Sequence, residues 1–117
     1  MEQSIFNSIK ALLGPDADYD VFDQDILIFI NSALSTLTQL GIGPETGFRI
    51  TGSTETWSDL IGDSVDLESV KEYVFLKVKM VFDPPSSSSL MSAYKEMLDE
   101  LTWRLNVAVD PSDKNKG

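Results

Sequence analysis

Residues 67–85 read LESVKEYVFLKVKMVFDPP, and this stretch decides the fold class. Val70, Tyr73, Val74, Val78, Val81 and Phe82 share one side of a 3.6-residue helix, while Phe75, Leu76 and Met80 occupy the other. A helix apolar nearly all round is buried on several faces or sits at a subunit interface. Asp66 stands before it as a cap, and Glu68 lies in its first turn, near the positive end of the dipole. Asp83-Pro84-Pro85 stops it, because the residue before a proline avoids helical angles. The spacing therefore predicts a helix over Leu67–Phe82.

Working outward, Ser86–Ser89 is a short polar link, and one of its serines should cap a further helix over about Ser87–Leu105. That helix carries the stripe Leu90, Tyr94, Met97, Leu98, Leu101 and Leu105. From Asn106 the chain reads as an extended or disordered tail. Upstream, Phe22, Ile26, Phe29, Ile30, Ala33, Leu34, Leu37 and Leu40 predict a helix over about Asp20–Leu40. Asp20 can cap it, Asp23 and Asp25 suit its first turn, and Gly41 stops it. Ile5, Ile9, Leu12 and Leu13 predict a first helix over about Glu2–Leu13, ended by Gly14-Pro15.

Residues 41–60 break this periodicity. Gly52-Ser53 between Phe48–Thr51 and Thr54–Trp57 suits a two-residue hairpin turn. In that register Thr51 faces Thr54, Ile50 faces Glu55, Arg49 faces Thr56, and Phe48 faces Trp57. A lone hairpin is marginal in water, so it is expected to project as a mobile ribbon that orders against a partner. The predicted fold is mainly α: about four helices, a β-hairpin or extended loop between the second and third, and a flexible C-terminal arm. Residues 1–106 would form one domain with its hairpin loop at 41–60, and residues 107–117 the arm.

Composition narrows the function. The 117 residues suit one domain, and 42% apolar content excludes disorder of the whole chain. There is no cysteine and no histidine, which removes disulfides, thiol nucleophiles, thiolate sites, the commonest general base and the commonest metal ligand. The longest apolar run, Ile26–Ile30, is far too short to span a bilayer, and Met1-Glu2-Gln3, without a basic stretch, is not expected to begin a signal peptide. A soluble, intracellular protein that is not an enzyme and takes no cofactor is expected. The net charge of −10 disfavours gripping nucleic acid, since that affinity comes from neutralising phosphates. Residues 1–67 hold eleven acids against Lys10 and Arg49, so the acidity is concentrated in the first half.

Candidate chemistry is sparse. Asp16, Asp18 and Asp20 alternate as in calcium loops, but the sixth and twelfth positions are Val21 and Leu27 instead of Gly and Glu. Gly41-x-Gly43-Pro44 lacks the GK[ST] and the preceding strand of a phosphate loop. No carboxylate pair is singled out by spacing. Trp103 and Arg104 leave two readings open: packing on the body with a dipole contact, or an interface hot spot.

Phe82-Asp83-Pro84-Pro85 followed some twenty residues on by Trp103-Arg104-Leu105-Asn106, with Trp57-Ser58-Asp59-Leu60 upstream, resembles the head-tail connector (adaptor or head completion) proteins of tailed bacteriophages and prophages. The resemblance covers roughly residues 20–106, and Asp83, Pro84, Pro85, Trp103 and Arg104 carry its motif. It implies a structural protein of the virion neck, assembled in the host cytoplasm. It implies a ring, commonly dodecameric, beneath the portal protein, which extends the DNA channel and docks a stopper or tail-completion protein. DNA would pass without specific binding, and no membrane is involved. An arm containing Asn106, Val107, Val109, Asp110 and Pro111 would reach the portal. Phe48, Arg49, Ile50, Glu55 and Trp57 would form inter-subunit or lumen contacts. A net charge of −10 predicts a monomer or weak oligomer when free. The alternative is an acidic module that mimics DNA and blocks a basic host protein.

Overall fold

The computed structural model describes residues 4–14, 20–44, 46–61 and 67–109, with the backbone alone at Asp20, Ala108 and Val109. Five helices are present among them: α1 (Ile5–Leu13), α2 (Asp23–Gln39), α3 (Trp57–Ile61), α4 (Leu67–Phe82) and α5 (Ser88–Val109). The central prediction, helix over Leu67–Phe82, coincides with α4. Its proposed cap, Asp66, lies outside the described residues.

Local chemistry sets the helix ends. Ser4 caps α1 by accepting from the Asn7 N–H at 3.1 Å, and Gly14 ends it at φ +93°. The predicted second helix begins as a tighter turn, a 3-10 segment over Asp20–Phe22, before α2 proper. Phe22 occupies the cap position of α2 and offers no side-chain acceptor. Instead Lys10 binds Asp23 at 2.6 Å, and the Phe22 ring meets Phe82 edge-on, 5.5 Å between centroids. Ser87 caps α5, its hydroxyl accepting from the Leu90 N–H at 3.2 Å. The expected end of this helix at Leu105 is corrected to Val109. No glycine or proline stands between Pro85 and Pro111, so nothing stops the helix earlier, and Asn106 and Val107 belong to it. Residues 110–117, the rest of the expected arm, lie outside the described residues.

The core sits between α2 and α4, which form the most extensive helix pair. Ile26, Ile30, Ala33, Leu34 and Leu37 of α2 meet Val70, Tyr73, Val74 and Val78 of α4, all buried. Side chains of this kind each contribute about 1.5–3 kcal/mol on full burial. The buried face of α1, Ile5, Phe6, Ile9 and Leu13, closes one side. From the 22 residues of α5, Leu101 and Leu105 are the buried hydrophobics that join this core.

The predicted hairpin does not form. Among the described residues the strand-like pairing is one isolated antiparallel bridge, Ser4 with Thr56, and Thr51 and Thr54 do not pair across a turn. Ile50 and Trp57, expected on a projecting ribbon, are 2% and 3% exposed and belong to the core. Two-stranded ribbons are marginal, whereas burying Ile50 and Trp57 in the helical core stabilises the alternative strongly. Trp57 opens the unforeseen helix α3. A reciprocal box starts it: Thr56 N–H to Asp59 Oδ2 at 2.9 Å, and Asp59 N–H to Thr56 Oγ1 at 3.2 Å. Gly52, the first residue of the expected turn, has neither the positive φ that such a turn requires nor a neighbour within 4 Å of an added Cβ.

Gly43 is the glycine that matters here. It has φ +87°, and an added Cβ would lie 2.9 Å from Leu60 Cδ1. Gly43→Ala is expected to cost about 1–2 kcal/mol, from left-handed strain plus a clash with a buried leucine. Urea unfolding would check this, and Gly52→Ala should change the midpoint little.

Candidate functional site

Three surfaces bear on function. The first is the middle segment, which is clamped and not projecting. Asn31, midway along α2, takes both backbone groups of Ile50: Oδ1 accepts from its N–H at 2.8 Å, and Nδ2 donates to its carbonyl at 3.0 Å. Trp57 Nε1 donates to Ser8 Oγ at 2.8 Å, and Ser8 itself donates to the Ser4 carbonyl at 2.7 Å. Phe48 is half-buried against the core, and Arg49 is exposed beside Asn31. Glu55 is half-buried, and its Oε2 accepts from both the N–H and the hydroxyl of Thr51, at 3.0 and 2.9 Å. Desolvation raises its pKa, but these hydrogen bonds outweigh it and hold the carboxyl below its ordinary value of 4.5. A depressed native pKa contributes stability above the ordinary value that is lost as pH falls below it. The loop 51–55 should therefore loosen first on acidification below pH 4.5, and Glu55→Gln should remove that dependence. Amide exchange at Thr51 against pH would show it.

The second surface is α5. Its N-terminal half exposes Leu90 and Met97, and its outward face exposes Val107 and Trp103, the latter 67% open. Trp103 therefore does not pack on the body, which favours the interface reading of this residue. Arg104 pairs with Glu100 on the same helix at 2.6 Å. The other half of the sequence motif, Asp83-Pro84-Pro85, forms the α4–α5 turn, where Asp83 Oδ2 accepts from Lys79 Nζ at 2.9 Å. Trp103 stands fifteen residues along α5 from Ser88, about 22 Å at the helical rise, so the two halves are not one site.

The third surface is an open groove of about 650 Å³ where α2, α4 and α5 meet. Ile28, Phe29, Ala33, Met80, Val81 and Leu98 make it apolar, and Lys77 stands on its wall. Ile28 and Val81 are more than half exposed. Nearby, between α4 and α5, Lys77 and Lys95 flank Tyr73 and Asp99. Burial pushes the Tyr73 phenol above its ordinary value, against a hydrogen bond with Thr102. Among the described residues, no helix is long and apolar enough to cross a membrane.

These are the features of a helical bundle that leaves apolar surface exposed on α5 and in the groove. Comparison with family models supplies the lineage: residues 5–112 match the model described as phage connector protein. The chain belongs to the phage connector protein family. Curated proteins and solved structures yielded no match. The family is one of structural proteins of the bacteriophage head-tail junction, in the virion neck, and implies contact with portal and tail components. The helical bundle fits that membership. The residues clamping the middle segment that the sequence did not reveal are Asn31 and Ser8. Their signal was faint: a lone amide beside Ile30, and a hydroxyl adjacent to the apolar stripe of α1.

Proposed function

We propose that this connector is a ring-forming subunit beneath the portal, joining the DNA-filled head to the tail and extending the DNA channel. The observation that carries the proposal is the family match over residues 5–112. The exposed apolar face of α5 supports it, because a single subunit gains nothing from an outward tryptophan. A net charge of −10 suits a channel in which DNA must slide without sticking. The segment from Asn106 onward would reach the portal, with Asn106, Val107 and Val109 in the last turn of α5 and Asp110 and Pro111 following it in sequence. Arg49 and Phe48, at the rim of the clamped middle segment, would contribute to contacts between subunits or to the lumen. The DNA-mimic alternative predicts acids spread over a convex surface without assembly, and the apolar groove and Trp103 weigh against it.

Mass spectrometry of purified particles tests this. The chain should be a stoichiometric component of tailed virions and should stay with them through nuclease and salt washing. Its absence from virions would defeat the proposal, and its recovery bound to a basic host protein would favour the alternative.

A further inference from the structure

The exposed Trp103 and the open groove belong to opposite aspects of the molecule. Trp103 and Leu98 are five residues apart on α5, a separation of about 140° around the helix axis. Leu98 lines the groove, so Trp103 points away from the groove of its own chain. Within one subunit the two features cannot meet.

Their chemistry is complementary. The groove is apolar with a cation at its wall, and Lys77 has no ion-pair partner among the described residues. The Trp103 face carries Val107 one turn on and Glu96 two turns back, an apolar knob with an unpaired carboxylate about 10 Å along the same face. The lysine on the groove wall and the glutamate on the Trp103 face are of opposite charge, so the two surfaces complement each other in charge as well as in apolar character.

We propose that Trp103 of one copy of this chain seats in the groove between Ile28, Val81 and Leu98 of a second copy, with Glu96 facing Lys77. The occupant is a second copy, and the contact is heterologous: knob and groove are different patches, so each copy passes a free knob or a free groove to the next. Such contacts propagate and close into rings when the rotation permits. This rests on the ring reading above and names its contact. Tryptophan buries roughly 150–250 Å², well below the ~800 Å² per partner of a standard interface. A single contact is therefore weak, and assembly needs high concentration or a template that holds many copies at once.

The chain has no cysteine, which makes disulfide trapping clean. Trp103→Cys and Val81→Cys would be prepared separately and oxidised at millimolar concentration in high salt. Mixed together they should give a cross-linked dimer, while each alone should stay mostly monomeric. The double variant should give a ladder of higher species. Equal cross-linking in the single variants, or no mixed dimer, overturns the proposal. As a second arm, Trp103→Ala should keep the wild-type melting temperature, since the side chain is exposed, and should lose head-tail joining when supplied in place of the wild-type chain. Full joining by Trp103→Ala would remove this contact and leave the connector reading standing. Failure of the wild-type chain to join heads and tails would instead remove that reading itself.

Discussion

Trp57→Ala should lower the melting temperature of the isolated chain by on the order of 10–20 °C, the equivalent of about 3–5 kcal/mol. The indole is 3% exposed and belongs to the core. Its Nε1 donates to Ser8 Oγ, and the residues just before it bridge to the start of α1, with the Ile5 N–H donating to the Glu55 carbonyl at 2.9 Å. Truncation would leave a cavity and take the donor from a buried hydroxyl. Trp57→Phe retains most of the apolar volume and should cost about 1–2 kcal/mol, largely from the lost hydrogen bond. Thermal melting followed by far-ultraviolet circular dichroism would measure both. A Trp57→Ala protein melting within a few degrees of wild type would mean that the segment is docked only loosely.

Asn31→Ala should cost about 2–3 kcal/mol, because it strips both partners from the Ile50 backbone. Ile50 is 2% exposed, so its N–H and carbonyl would have no ready access to water. The effect should be local at first. Amide exchange at Ile50 should accelerate well before the α2–α4 core opens. Asn31→Asp keeps the acceptor for the N–H but loses the donor to the carbonyl, and should fall between alanine and wild type. Unchanged exchange at Ile50 in Asn31→Ala would show that burial of the isoleucine alone holds the segment.

These two residues also explain what the sequence made legible. The helix α4 was readable because every cue lies within its own residues: apolar groups on nearly all faces, then Asp83-Pro84-Pro85. The same holds for α1, where Ile5, Ile9 and Leu13 precede Gly14. The middle segment was misread because its local cue, Gly52-Ser53 between alternating residues, competes with contacts made far away in the chain. Asn31 reaches Ile50 across 19 positions, and Ser8 reaches Trp57 across 49. Neither link leaves a periodic trace. The stripe ends at Leu105 and gives no sign of the remaining turn of α5, whose Asn106 and Val107 are exposed. Burial period locates the face that packs on the body and says little about where an exposed helix stops. That overrun is informative for the site, since it places Val107 in line with Trp103 on the outward face.

The described chain therefore divides into a clamped core and an outward helix, and assembly is the role proposed for that helix. The central claim is that the chain joins heads to tails as a structural part. Electron microscopy of particles from a phage or prophage lacking the chain, before and after adding back the purified protein, tests that claim most directly. The account predicts separate heads and tails without the chain, and tailed particles once it is added. Fully tailed, infectious particles formed without it would contradict the claim.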